Sequence, residues 1–80
     1  MATKRVHLTF PEQLIKEPVI WRLGKEFDIV TNIRRAQVEE HVGWIVMELT
    51  GDEAELERGI EYLRSMNIQV DAAGGDVVEG

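Results

Sequence analysis

Asn32-Ile33-Arg34-Arg35 is a run of this sequence whose residue types suit binding chemistry. An amide beside two guanidinium groups can hold a carboxylate, because arginine offers a planar fork of donors that matches two carboxylate oxygens. The competing reading is that Arg34 and Arg35 balance Glu39, Glu40 and Glu48 across neighbouring strands. Residue chemistry alone favours that second reading, since exposed ion pairs are common and contribute little.

Groups that could do catalysis are sparse. His7 and His41 stand apart, and the pattern supplies neither with an orienting Asp, Ser or Cys, so no acid–base pair is expected. The chain has no cysteine, which removes disulfides, thiolate nucleophiles, zinc thiolates and iron–sulfur ligation. Two isolated histidines do not make a zinc site, and Met47 reads as core filler. Gly74-Gly75 lacks the strand–glycine–helix context of a phosphate loop. The acidic run Asp52, Glu53, Glu55 and Glu57 is a helix start followed by a solvated face. No catalytic residue, metal or cofactor is expected, and the chain does not read as an enzyme.

Charge and length narrow the partners. Nine Lys and Arg against 15 Asp and Glu give a net charge of −6, the wrong sign for a phosphate backbone, so nucleic acid is not expected. No apolar run is long enough to span a bilayer. Met-Ala-Thr-Lys-Arg leads straight into an alternating strand with no signal segment, and a cytoplasmic location is expected. Eighty residues close one core that buries only about 60% of the unfolded surface. With disulfides and metals removed, oligomerisation is the remaining support, and a homodimer or higher homo-oligomer is expected.

These residues need elements to position them. Val6, Leu8 and Phe10 alternate with Arg5, His7 and Thr9, the period of a half-buried strand that Pro11 ends. Pro18 suits a helix's first turn, and Ile20, Leu23 and Phe27 follow at helical spacing, with Trp21 off that stripe at the helix–sheet margin. The stretch between, with Leu14 and Ile15, reads as a packed loop or short helical turn. From Asp28 to Val38 the strand pattern changes phase: Ile29, Thr31 and Ile33 share one parity, Ala36 and Val38 the other. Such a break predicts a β-bulge near Arg34–Arg35. Glu40-His41-Val42-Gly43 makes a hairpin, and the strand from Trp44 to Thr50 turns Ile45, Met47 and Leu49 inward. Asp52 and Glu55 have the spacing of a capping box, opening a helix with Leu56, Gly59, Ile60 and Leu63 on one face. Asn67 is a left-handed stop, Ile68 to Val70 a last strand, and residues 73–80 a flexible acidic tail after a domain over 1–72.

Strand, helix, strand, strand, helix, strand is the split βαβ order of an α+β, ferredoxin-like domain: a four-stranded antiparallel sheet with both helices on one face. The other face stays open. His7, Thr9, Trp44, Val46, Glu48 and Gln69 are placed there, joined by Asn32 and Arg34 if the bulge follows Arg34. Trp44 beside Val46 makes this face more apolar than solvation requires, which marks His7, Thr9, Trp44 and Val46 as an interface candidate.

Leu8-Thr9-Phe10, Glu17-Pro18-Val19-Ile20, Asn32-Ile33 and Glu48-Leu49-Thr50-Gly51, in this order and spacing, resemble the NIL domain family over residues 4 to 71. The resemblance implies an ACT-like βαββαβ fold, usually paired. It also implies a ligand pocket around the second strand and subunit interface, which carries over to Asn32 and Ile33 with Arg34, Arg35 and Ala36 beside them. Members occur at the C-terminus of methionine-importing ABC transporter ATPases, where they bind methionine and inhibit transport. Others precede a ferredoxin segment in proteins of sulfur assimilation. Arg34 departs from the pattern, standing where the family has an aliphatic residue, and a free-standing domain is expected here. The resemblance thus implies a regulatory module that senses a sulfur amino acid. The alternative is an interaction module that docks on an iron–sulfur or sulfur-transfer protein.

Overall fold

The computed structural model describes residues 1–73. The tail expected to be flexible lies, Ala73 apart, outside these residues. The elements follow in the expected order: β1 (Ala2–Phe10), a short 3-10 turn (Glu12–Leu14), α1 (Val19–Glu26), β2 (Val30–Val38), β3 (Gly43–Gly51), α2 (Glu53–Ser65) and β4 (Gln69–Ala72). The strands form one antiparallel sheet in the order β2-β3-β1-β4, so β3 and β1 are central and β2 and β4 are edges. This is the α+β, ferredoxin-like arrangement.

Both helices lie on one face because each carries a single apolar stripe. α1 buries Val19 and Leu23, and α2 buries Leu56, Gly59 and Leu63. They close over Val6, Leu8, Ile45, Met47, Leu49 and Val70 of the sheet. Gly59 lets α2 sit close, since a Cβ there would meet Ile29 Cδ1 at 2.6 Å. Asn67 takes the left-handed conformation at φ 68°, and Ile68 N–H donates to Leu63 O at 3.2 Å, which ends α2 and turns the chain into β4.

Three local expectations need correction. β4 runs on to Ala72, paired with Val6, where the small residues were expected to end it. Pro18 stands just before α1 rather than in its first turn. The capping box does not form: Asp52 is extended and makes no side-chain cap. Glu55 is drawn elsewhere, its carboxylate accepting the backbone N–H of Asp28 at 2.9 Å and so tying α2 to the approach of β2.

Candidate functional site

The register of β2 against β3 decides what faces the open side. Ile33 pairs with Met47 but Arg35 pairs with Val46, so Arg34 is the extra residue of a bulge. One inserted residue shifts the pleat by one. The consequence is that Arg35 joins Val46 on the open face, beside Asn32 opposite Glu48, while Ala36 returns to the helix side opposite Ile45. Arg34 and Arg35, consecutive in sequence, line the same open-face concavity with Arg5, His7, Val46 and Asp71. Without the bulge they would point to opposite faces.

The structure therefore brings together part of the expected constellation. Asn32, Arg34 and Arg35 share the open face, whereas Ile33 and Ala36 lie on the other side of the strand. Ile33 is still 52% exposed, because the helices do not cover the sheet's β2 edge fully. The expected balancing of Arg34 and Arg35 by Glu39, Glu40 and Glu48 does not take the form of a direct ion pair among the described residues. Glu48 accepts a hydrogen bond from Arg5 at 2.8 Å, and Glu39 accepts one from Gln37 at 2.8 Å. Arg34 and Arg35 make no ion pair with a carboxylate among the described residues. Arg34 acts on Glu48 through space only. The Glu48 carboxyl is held below the usual range chiefly by the Arg5 hydrogen bond; burial opposes this, and the charges of Arg34 and Arg5 add to the lowering.

The cavity between these groups is about 590 Å³, within the size range of small-molecule sites. It offers guanidinium donors on the β2 side, the Asp71 carboxylate on β4 and the apolar side of Val46 between, with Glu48 on the same face opposite Asn32. Such a mixture suits a zwitterion. At its margin His7 stacks on Trp44, ring centroids 5.3 Å apart and planes within 17°. The interface candidates His7, Thr9, Trp44 and Val46 all lie on this face, in the rows Thr9–Trp44 and His7–Val46.

Two features escaped the sequence reading. His41 has a partner after all, the Glu12 carboxylate, brought to the β2–β3 hairpin by the 3-10 turn. Glu40 Oε1 lies 3.9 Å from the other ring nitrogen, and with all three side chains exposed they make a tether rather than an acid–base site. The second is a groove of about 170 Å³ between α1 and the β2–β3 end of the sheet, lined by Phe10, Ile15, Pro18, Ile20, Trp21 and Val38. Trp21 sits at this helix–sheet margin as expected, but 63% exposed, with Lys25 Nζ 5.2 Å from its ring centre. The one signal for the groove was an aromatic residue off the helix stripe. Among the described residues no His, Cys, Asp or Glu cluster could hold a metal, and no helix is long and apolar enough to cross a membrane.

Comparison with known proteins agrees with this architecture. The NIL domain model matches residues 4–72. The methionine import ATP-binding protein MetN of Helicobacter pylori (strain ATCC 700392 / 26695) is 32% identical over 68 residues, covering 80% of this chain and 21% of the relative. MetN 2 of Acinetobacter baylyi is 32% identical over 74 residues, covering 88% of the chain and 22% of the relative. The chain thus spans about a fifth of the length of the curated relatives it matches. The crystal structure of the C-terminal domain of an ABC transporter ATP-binding protein from Enterococcus faecalis superposes with a TM-score of 0.76 at 25% identity, covering 91% of this chain and 86% of that one. The chain belongs to the NIL domain family.

Proposed function

We propose that this NIL domain is a regulatory module that binds a free amino acid on its open sheet face, with the carboxylate on Arg34 and Arg35 and the ammonium at Glu48. One observation carries the reading: the bulge delivers two adjacent guanidinium groups to a single concavity, and neither makes an ion pair with a carboxylate of the described residues. Bidentate capture of a carboxylate is what such a pair does best. Glu48, kept ionised by Arg5, supplies the opposite charge one strand away. The side chain of the ligand then lies over Val46 toward Trp44, and a thioether gains from an aromatic neighbour. That the relatives are named for methionine import supports a sulfur amino acid. The role is binding and control rather than catalysis.

Thermal unfolding with methionine, homocysteine and cysteine tests this. A ligand at a hundredfold excess over its Kd stabilises the native state by about 2.7 kcal/mol. In a domain of this size each kcal/mol shifts the midpoint by roughly 4–8 °C. A saturable rise for methionine or homocysteine, lost in the Arg34→Ala/Arg35→Ala double variant, is the expected result. A flat response to all three at millimolar concentration overturns the reading and transfers the face to a protein partner, such as an iron–sulfur or sulfur-transfer protein.

A second reading, self-association, is favoured by the outer edge of β2, which pairs with no strand among the described residues and has Val30 and Val38 exposed. An open edge of this length is a template for a second strand. Sedimentation across a concentration series checks it, with a dimer expected.

A further inference from the structure

We infer that the open face takes an amino acid joined through its side chain to a purine nucleoside, with the base stacked on the Trp44–His7 pair. This rests on the amino-acid reading of Arg34, Arg35 and Glu48 and adds the other half of the ligand. The face is built in rows. Gln37, Trp44, Thr9 and Gln69 stand across the four strands in one row, and Arg35, Val46, His7 and Asp71 in the next. Asn32, Glu48 and Arg5 form a third row, with Arg34 bulged between the last two.

Trp44 of the first row stacks on His7 of the second, which makes an aromatic platform with polar flanks. The indole and imidazole planes lie within 17° of each other, and both residues are only half-buried. A base has a π-face of matching size, and stacking on such a surface is a recurrent mode of base binding. Gln37 and Gln69, on either side of the platform, each turn their amide nitrogen to a carboxylate two residues on, Glu39 at 2.8 Å and Asp71 at 2.9 Å. Their amide oxygens accept no hydrogen bond among the described residues and suit an exocyclic amine such as adenine carries.

The charges choose the rest of the molecule. A nucleotide phosphate chain would run past Glu48 and Asp71 in a protein of net charge −6. A neutral ribose would not. One carboxylate and one ammonium at the far end meet the Arg34–Arg35 pair and Glu48. From Trp44 to the level of Arg34 is about three residues of strand, roughly 10 Å at 3.4 Å per residue. A ribose and a short thioether chain bridge that distance, with the sulfur over Val46.

The test uses the full chain carrying Trp21→Phe, so that Trp44 is the one remaining tryptophan, titrated with S-adenosylhomocysteine, methionine and adenosine. Expected are quenching of Trp44 emission by S-adenosylhomocysteine, affinity at least tenfold above that for methionine, and detectable quenching by adenosine. A further Trp44→Ala change, followed by isothermal titration calorimetry because no tryptophan remains, should bring S-adenosylhomocysteine down to the affinity that methionine has for the same variant, and Trp44→Phe should keep most of the advantage. Equal affinities for S-adenosylhomocysteine and methionine, or an advantage that survives Trp44→Ala, overturn the inference and leave the amino-acid site standing. Binding of adenosine and S-adenosylhomocysteine that is indifferent to Arg34→Ala/Arg35→Ala removes the amino-acid reading instead. Binding of none of the three removes both.

Discussion

β3 and β2 are nine-residue strands paired along their length, yet they live in different environments. β3 alternates buried and half-buried residues from Gly43 to Gly51, with Met47 and Leu49 fully enclosed. β2 is exposed at every position except Thr31, which is half-buried. Ile33 and Met47 make the contrast sharp, because they are cross-strand partners on the same face, one 52% exposed and the other not at all. The helices explain it: α2 and α1 close over β1, β3 and β4, while β2 is left at the margin. The two arginines proposed to hold the carboxylate sit on the strand that contributes least to the core. A bulge that would disrupt a central ladder costs little at an edge, and there it re-aims two arginines. Stability and binding should therefore be separable in this domain.

The widest separation is expected at that cross-strand pair. Met47→Ala opens a cavity in the enclosed core and should cost about 2–5 kcal/mol. Ile33→Ala, one strand away, should cost less than about 1 kcal/mol, because the side chain is half in water already. Similar losses from urea denaturation of the two variants would break the comparison.

Gly51→Ala comes next. A Cβ at Gly51 would lie 2.8 Å from the backbone oxygen of Asp28, so the chain entering β2 has to move. A cost of about 1–3 kcal/mol is expected, with the hydrogen bond from Asp28 N–H to Glu55 disturbed. Hydrogen exchange should show the Asp28 amide losing protection while β1 and β3 hold theirs. Uniform loss across the sheet would mean that β2 is not a separable margin.

Arg35→Ala should leave the unfolding midpoint nearly unchanged, within about 0.5 kcal/mol, while abolishing stabilisation by methionine. The smallest effect concerns Glu48. Its carboxyl titrates below the ordinary value in the folded chain because Arg5 bonds the ionised form. A group with a depressed folded value stabilises above its unfolded value and loses that contribution as pH falls through the folded one. Glu48→Gln should therefore lower the midpoint most near neutral pH, with the gap to the parent closing in acid. A gap that widens as pH falls would contradict the pairing.

Legibility in the sequence followed the physics of each feature. β1, β3 and α2 were readable because one buried face stamps its period on the residues: Val6-Leu8, Ile45-Met47-Leu49, Leu56-Gly59-Leu63. The bulge was readable for the same reason, as a change of phase between Ile33 and Ala36. What depends on register was not. Arg5 meets Glu48 across 43 residues, and nothing local distinguishes Arg5 from Arg34 as its partner. Glu55 looked like a cap and serves Asp28 instead, because an amide 27 residues away in sequence lies within its reach. The five residues of the candidate site were found as a run, but the split of Asn32, Arg34 and Arg35 from Ile33 and Ala36 required the position of one inserted residue.

The most direct test of the account is a methionine titration followed by backbone amide NMR. The account predicts saturable shifts concentrated at Asn32, Arg34, Arg35, Val46 and Glu48, with the helices nearly silent. Shifts confined to Ile15, Ile20, Trp21 and Gly43, around the groove beside α1, or none at millimolar methionine, would contradict it.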